Sequence, residues 1–388
     1  MSRAKCAVPL LACLVSYCAV ASAQNPDLPP YPKQGVIIQR LKAFDNPEGS
    51  IFSADGRYVF IANSAELGMP KVGFHWTHNA GYISKLRVRP DGTLKFVKER
   101  FITGLTGPLG MAVSTVATAR FPRGTIFLAE AWVPLAEADG TVVRDPKVLN
   151  PKIVAFATNA KVLGAIRIGA GSAAAKVSGV IGTLANSLAF DGAGNLYLAE
   201  TGQQGTQFHP PVITKGGGVY MFPVTSLDAL AAGHNAPLYY LPVPNGGPDG
   251  IEVGPDGLVH FNTVGLNAGL QDPAEGGMYK LKQADFHSGT LPPPFNRGLG
   301  ALDGLDFAGN NRLDTIVKGV NGVLVTPLDG NTTYRLTFDQ NVEFSGPADI
   351  AVHKMHDGTY LLLVPELSGT SPNHKDNPVT VVRLPADF

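Results

Sequence analysis

The sequence predicts an all-β fold: a six-bladed β-propeller in which each blade is a four-stranded antiparallel sheet and an N-terminal strand closes the ring. Two observations lead to this prediction. A pattern of strand, tight turn and strand occurs six times along the 388 residues, and one additional strand precedes the first copy. Repetition at long, regular intervals is typical of propellers. The 45 glycines and 31 prolines fit the many turns of such a fold.

The clearest copy of the pattern occupies residues 184–200. Asn186 precedes the apolar run 188–190, and the turn-forming residues 191–195 then reverse the chain. A return segment rich in β-forming side chains follows and stops at Glu200. This unit supplies the first two strands of a blade.

The other five copies occupy residues 48–63, 107–130, 248–262, 302–311 and 348–364. We call the residue that opens the apolar strand of each copy its leading residue; the six are Glu48, Gly110, Asn186, Asp249, Asp303 and Asp349. The intervals between them, 46 to 76 residues, are each long enough for four strands. Together they predict a single propeller domain over residues 35–388.

One strand, residues 36–41, precedes the first copy and has no repeat of its own. We expect it to become the outer strand of the last blade. Its pairing there would close the ring and remove an exposed sheet edge.

The N-terminus has the pattern of a secretory signal peptide over residues 1–23. Arg3 and Lys5 precede the apolar stretch 7–21, and the sequence Ala-Ser-Ala then fits a cleavage site before residue 24. The apolar stretch is too short to anchor the chain in a membrane. We therefore expect a secreted or periplasmic protein without a membrane anchor, whose residues 24–34 form an extended lead-in.

The composition excludes several classes of chemistry. All three cysteines, Cys6, Cys13 and Cys18, lie in the predicted signal peptide, so thiol catalysis and cysteine-bound zinc are excluded for the mature chain. Acidic and basic residues are balanced at 31 each and no basic tract occurs, so no nucleic-acid partner is expected. We expect a monomer that acts on a small molecule.

The leading residues are the candidate functional site, since the first strands of a propeller line its central channel. Five of the six side chains offer oxygen donors, which suit a hard divalent cation such as Ca²⁺. Without a cation, facing carboxylates would raise one another's pKa. Glu48, Asn186 and Asp249 are the predicted ligands. For Asp303 and Asp349 a simple turn-forming role is favoured, as it is for the turn residues Asp55, Asp191, Asp256 and Asp357.

Long loops after the second strands, at residues 63–80, 130–150, 201–215, 263–275 and 365–377, are predicted to cover the channel mouth. The predicted substrate or lid residues are Trp76, Trp132, His209, Glu200 and Asp303. His75 and His78 form a candidate catalytic pair, although for each single histidine a loop packed by its own aromatic side chains is slightly favoured.

Three short motifs carry a family resemblance. Glu48-Gly49, Asn186-x-Leu188 followed by Ala-Phe-Asp, and Pro248-Asp249-Gly250 resemble the metal-site motifs of the senescence-marker-protein/gluconolactonase (SMP-30/gluconolactonase/LRE-like) family, a more distant relative of paraoxonases and strictosidine synthases. The resemblance covers about residues 40–388. It implies a six-bladed propeller with one catalytic calcium or other divalent ion, hydrolysing lactones or related esters. Glu48, Asn186 and Asp249 would be its ligands, and Asp249 also the general base.

The sequence departs from that family in two places. Ser50 and Phe52 stand where family members have a tryptophan, and the apolar segment 107–110 replaces polar substrate-binding residues. These differences favour a less polar substrate than a sugar lactone. Two alternatives therefore stay open: a non-catalytic propeller that binds a ligand or protein, and a biosynthetic enzyme of the strictosidine-synthase type. No Gly-x-Ser-x-Gly motif supports a serine hydrolase.

Overall fold

A computed structural model of the chain describes residues 28–65, 76–132, 135–136, 142–143, 149–208, 211–244, 246–265, 276–316, 321–367 and 377–388. The predicted signal peptide lies outside these residues. None of the described helices is long and apolar enough to cross a membrane.

The described part of the chain is all-β. Its strands in chain order are β1 (Pro30–Phe44), β2 (Pro47–Phe52), β3 (Tyr58–Asn63), β4 (Trp76–Thr77), β5 (Gly81–Val88), β6 (Leu94–Leu105), β7 (Pro108–Val113), β8 (Ile126–Glu130), β9 (Leu135–Ala136), β10 (Val142–Val143), β11 (Lys152–Phe156), β12 (Val162–Arg167), β13 (Ala185–Phe190), β14 (Leu196–Phe208), β15 (Pro211–Phe222), β16 (Tyr239–Pro242), β17 (Pro248–Val253), β18 (Val259–Thr263), β19 (Gly277–Leu281), β20 (Asn296–Arg297), β21 (Leu302–Ala308), β22 (Asn311–Ile316), β23 (Gly322–Pro327), β24 (Tyr334–Phe338), β25 (Ala351–Lys354), β26 (Tyr360–Pro365) and β27 (Asn377–Leu384). The short helices are α1 (Ala173–Ser178), α2 (Leu227–Ala231) and α3 (Gln283–Ser288), with a 3₁₀ helix at Val224–Ser226.

Four four-stranded sheets follow one another along the chain, in the orders β2-β3-β5-β6, β7-β8-β11-β12, β13-β14-β15-β16 and β17-β18-β19-β20. One eight-stranded sheet, β21-β22-β23-β24-β1-β27-β26-β25, contains the last two repeats. The first strands of the repeats contact each other in a closed cycle: β2, β7, β13, β17, β21, β25 and again β2. This propeller-like arrangement brings the six leading residues around one axis.

Strand β1 joins the two ends of the chain as predicted. It pairs antiparallel with β27, with Val36 opposite Arg383 and Leu41 opposite Val379. It also pairs parallel with β24, where Gln34 lies opposite Thr337. This second pairing was not predicted, and it merges the last two repeats into one sheet. The count of six separate four-stranded blades is therefore not confirmed.

The turns inside the repeats are shaped by aspartate, as predicted for the turn residues. The Asp55 carboxylate accepts a hydrogen bond from the backbone N–H of Arg57 at 3.1 Å, and Asp256 accepts one from Leu258 at 3.1 Å. A further hydrogen bond from the Ser53 hydroxyl lowers the pKa of Asp55 to about 2.

Three of the predicted channel-mouth loops have secondary structure of their own. Residues 201–208 and 211–215 extend β14 and β15 as a long hairpin, with Gly202 opposite Gly216, so the prediction of an irregular loop there was wrong. Strands β4 and β9, from the loops of the first and second repeats, pair in parallel, and β10 completes a three-stranded sheet. The loops of neighbouring repeats are thus tied together.

The core consists of apolar side chains between neighbouring sheets. Phe127 of β8 and Phe190 of β13 meet edge to face, with ring centroids 5.0 Å apart. Tyr197 of β14 contacts Phe286 of α3 in a tilted arrangement, with ring centroids 5.5 Å apart. Aromatic pairs of this kind add about 0.5–1.5 kcal/mol to the free energy gained from burial.

A buried ion pair links the fourth sheet to the eight-stranded sheet. The Arg312 guanidinium donates two hydrogen bonds to Asp314, at 2.7 and 2.8 Å, and a third to the Phe261 carbonyl oxygen at 3.2 Å. Asn262 donates to Asp314 at 3.0 Å. Both charged side chains are fully buried.

Replacing Asp314 with alanine should destabilise the protein by about 3–5 kcal/mol, because a buried guanidinium then loses its counter-charge. Urea denaturation followed by circular dichroism measures the change. The control is the ion pair of Lys33 and Asp387 at the surface, in which the Asp387 side chain is 80% exposed. Asp387→Ala should leave the midpoint of urea denaturation unchanged. Equal midpoints for Asp314→Ala and the wild type would show that the buried pair adds nothing.

Candidate metal centre

Three carboxylates converge on the channel axis. Glu48, Asp249 and Asp303 are each the second residue of the first strand of their repeat, in β2, β17 and β21. One carboxylate oxygen from each lies within 4.8 Å of the others. Their exposed fractions are only 4%, 5% and 7%. We call these three residues the acidic triad.

A repeated irregularity of the backbone aims the leading residues inward. In five first strands the pairing register shifts across the leading residue, for example between Pro47 and Ser50 in β2 and between Pro248 and Ile251 in β17. Such bulges redirect a side chain without ending the strand, and they are common next to functional sites.

Glycine after the leading residue allows neighbouring first strands to approach closely. A side chain on Gly49 would collide with the Leu109 carbonyl oxygen, and one on Gly250 with the carbonyl oxygen of Asp303. The Asp303-Gly304 pair lies inside β21. The prediction that Asp303 only shapes a turn was therefore wrong, because this pair serves close strand packing instead.

Burial and mutual repulsion make the triad hard to ionise. The pKa values of Glu48, Asp249 and Asp303 are raised well above their usual range, chiefly by burial and then by neighbouring carboxylates. In the described residues no lysine or arginine forms an ion pair with them. Nothing in that part of the chain compensates their charge directly.

Several buried oxygens of the site have no hydrogen-bond donor among the described residues: Glu48 Oε2, Asn186 Oδ1 and Asp303 Oδ1. Unpaired buried polar atoms are costly and uncommon in folded proteins. Oxygen donors of this type, carboxylate and amide, are those that Ca²⁺ prefers. The residues present thus fit a hard divalent cation.

Asn186 is held beside Asp249. Its Nδ2 donates to Thr201 Oγ1 at 3.0 Å, and that hydroxyl donates to the Pro248 carbonyl oxygen at 2.8 Å. A hydrogen bond from Asn186 also partly opposes the rise in the pKa of Asp249. All three predicted ligands are therefore buried at the same end of the channel-lining strands.

Asp349 has a different role from the triad. It lies just before β25, and its Oδ2 accepts a hydrogen bond from the Ser187 hydroxyl at 3.0 Å. Burial raises its pKa to about 7. A side chain on Gly110 would come within 2.7 Å of both Asp349 and Ser187, so these two residues fill the side of the ring where Gly110 offers no donor.

In three repeats, a glutamate at or near the end of the second strand binds the backbone of the segment that leads into a first strand. Glu130 accepts the Thr106 N–H at 2.7 Å, and Glu366 accepts the Ser345 N–H at 3.0 Å. Glu200 accepts from the Thr183 N–H at 2.9 Å and the Leu184 N–H at 3.2 Å. Glu200 is thus occupied in positioning Asn186, two residues beyond Leu184. Its predicted contact with substrate stays a prediction.

The predicted lid residues are distributed as follows. Trp76 is buried against Leu109 and Leu184, close to the leading residues of the second and third repeats. His78 meets Trp132 edge to face, with ring centroids 5.1 Å apart, and it is not part of the acidic triad. Predicted residues His75 and His209 lie outside the described residues.

Sequence reasoning missed a second pair of channel carboxylates, Glu252 and Asp306, three residues after Asp249 and Asp303. Burial is the main cause that raises their pKa values, to about 7 for Asp306. The shared pattern Asp-Gly-apolar-acid at 249–252 and 303–306 was the available signal.

Comparison with known proteins identifies the fold. No family model matches the chain, and a search of curated proteins finds no significant match. Among solved structures, a gluconolactonase from Xanthomonas campestris is similar with a TM-score of 0.51 and 13% identity, over 93% of this chain and 98% of that one. A protein provisionally described as a gluconolactonase gives 0.50 and 12%, over 92% and 94%.

A Thermus thermophilus protein provisionally described as an oxidoreductase (glucose dehydrogenase) gives a TM-score of 0.50 and 15% identity, over 90% of this chain and 99% of that one. At these identities the likeness concerns the fold alone. The structural neighbours confirm the resemblance inferred from the motifs: this chain has the fold of the gluconolactonase and glucose dehydrogenase propellers.

Proposed function

We propose that this protein is an exported, metal-dependent hydrolase of a lactone or related ester, with one divalent cation, Ca²⁺, at the channel mouth. The observation that carries the proposal is the set of buried oxygens on Glu48, Asn186 and Asp303, next to Asp249, that have no hydrogen-bond partner in the described part of the chain. In this proposal the propeller has six blades, because the eight-stranded sheet is divided into its two repeats. The active unit is a monomer.

A bound Ca²⁺ would polarise the carbonyl group of the substrate and acidify a nearby water. Glu48 and Asn186 would hold the ion, and the bulges after Pro47 and Ala185 keep both side chains pointing inward. Asp249 would accept the proton of the attacking water, since its carboxylate is the triad member that Asn186 orients. Trp76 and Leu109 belong to a buried apolar cluster next to Gly110, and this apolar surrounding of the second repeat favours a weakly polar substrate.

Calcium should raise the melting temperature of the chelator-treated protein, and more at pH 8 than at pH 5. A carboxyl group whose pKa is raised on folding binds its proton more tightly in the folded chain than in the unfolded chain. Its contribution to stability is therefore lost as the pH rises from about 4 through the raised pKa, which is about 7 for Asp349. The cation-free protein should therefore weaken towards pH 8. Ca²⁺ at 100 times its Kd would restore about 2.7 kcal/mol.

Differential scanning fluorimetry at both pH values, with Mg²⁺ as the matched control ion, measures this effect. Mg²⁺ should stabilise less, because it demands a stricter geometry and keeps its waters. If neither ion shifts the melting temperature at pH 8 and elemental analysis finds no metal, the proposed cation is wrong. A metal-bound protein that turns over no lactone or ester would leave the ligand-binding and biosynthetic alternatives.

A further inference from the structure

We propose that Asp303 is a direct ligand of the cation, so that the centre has three carboxylates and the loaded site keeps a net negative charge that selects uncharged over anionic substrates. This inference rests on the proposed function. It goes beyond the ligand set of Glu48, Asn186 and Asp249, because it adds a residue from the fifth repeat and assigns the charge of the site.

The position of Asp303 matches those of the other two carboxylates. It follows the first residue of β21 as Glu48 and Asp249 follow Pro47 and Pro248, and the same register shift spans it, between Leu302 and Leu305. Its carboxylate oxygen lies within 4.8 Å of theirs. Equivalent backbone geometry thus delivers all three carboxylates to one point.

The hydrogen bonding of Asp303 leaves an oxygen free for a ligand. The residue is only 7% exposed, and no donor in the described part of the chain bonds to its Oδ1. Asp349, the next carboxylate around the ring, instead accepts a hydrogen bond from Ser187. Asp349 thus has a hydrogen-bond donor in Ser187, whereas Oδ1 of Asp303 has none among the described residues.

The leading position of the second repeat supplies no side-chain donor, since it is Gly110. Asp349 and Ser187 occupy the space beside this glycine. Among the described residues the available donors are therefore Glu48, Asn186, Asp249 and Asp303, with three carboxylates. A divalent ion balances two of these ligand charges; the third, together with the neighbouring carboxylate of Asp349, would repel a carboxylate or phosphate group on a substrate.

Ion affinity tests the assignment. Ca²⁺ and Tb³⁺ binding to the purified chain, by isothermal titration and terbium luminescence, should both fall in Asp303→Asn. We expect at least about a tenfold loss for Ca²⁺, since ligand charge tunes affinity at such sites. The loss should be larger for Tb³⁺, because the attraction to a lost unit charge scales with the charge of the ion.

Asp349→Asn is the matched control, since it removes a neighbouring buried carboxylate that the protein already satisfies; it should weaken both ions less than Asp303→Asn does. Melting curves in chelator verify folding, and Asp303→Asn should be at least as stable as the wild type there, because it relieves repulsion. Ca²⁺ affinity within threefold of wild type, or equal losses for both ions, would overturn the ligand role of Asp303. A wild type that binds neither ion would overturn the proposed function itself.

Enzyme kinetics test the proposed selection of uncharged over anionic substrates. An uncharged aryl ester and the same ester carrying a carboxylate should differ in kcat/KM on the calcium-loaded wild type, with the uncharged ester preferred. Asp303→Asn should narrow that preference several-fold. An unchanged ratio of the two kcat/KM values would overturn the proposed selection against anionic substrates. The role of Asp303 as a ligand would then be decided by the ion-binding data alone.

Discussion

Replacing Asp249 with asparagine should lower the turnover of a lactone or ester substrate by roughly 10²–10⁴-fold, the usual cost of losing a general base. Asparagine retains the shape of the side chain and one oxygen for the cation. It cannot accept the proton of the attacking water. The folded structure should survive, because the change removes one of the mutually repelling buried carboxylates.

Steady-state kinetics with saturating Ca²⁺ separates this effect from weaker metal binding. Asp256→Asn is a suitable control, since Asp256 lies in the turn between β17 and β18 of the same repeat and bonds to His260. The histidines His75 and His78 are the competing candidates for the base. If His75→Ala or His78→Ala abolishes turnover while Asp249→Asn remains nearly normal, the base belongs to the loop and not to the ring.

Deleting residues 24–42 should lower the melting temperature by at least about 10 °C or prevent cooperative folding. The deletion removes nearly all of β1 and leaves both β27 and β24 with unpaired edges. It also removes Ile37, which packs in the core of the eight-stranded sheet. A loss of several kcal/mol corresponds to a shift of this size, at about 2–4 °C per kcal/mol in larger domains.

Calorimetry of the shortened and full-length chains measures the shift. Lys33→Ala is the control, because it breaks only the exposed ion pair with Asp387 and keeps every backbone pairing of β1. Identical melting temperatures for the shortened and full-length chains would mean that β1 does not hold the ring together.

The repeat pattern was enough to predict the all-β propeller arrangement, the pairing of β1 with the last strand and the convergence of the leading residues. These depend on apolar periodicity, which is visible in the sequence. The parallel pairing of β1 with β24 was not predictable, since nothing in the sequence of either segment specifies the contact between Gln34 and Thr337.

The role of Asp303 was misjudged for a related reason. An Asp-Gly pair favours a turn locally, but in β21 a neighbouring strand requires Gly304 for close approach. The position of Glu200 at the end of its strand was recognised from the sequence. The shared action of Glu130, Glu200 and Glu366 on backbone N–H groups depends on the entry path of the next segment, which only the tertiary structure supplies.

The pairing of β1 also sets the order in which the molecule can fold. Its partners in β24 and β27 lie about 300 or more residues further along the chain. At a synthesis rate of about 5–20 residues per second, β1 waits roughly 15 to 60 s before either partner exists. The earlier sheets can form during that interval from contacts within each repeat, whereas the ring stays open. During that interval neither long-range pairing of β1 can form, so closure of the ring should be the last step of folding.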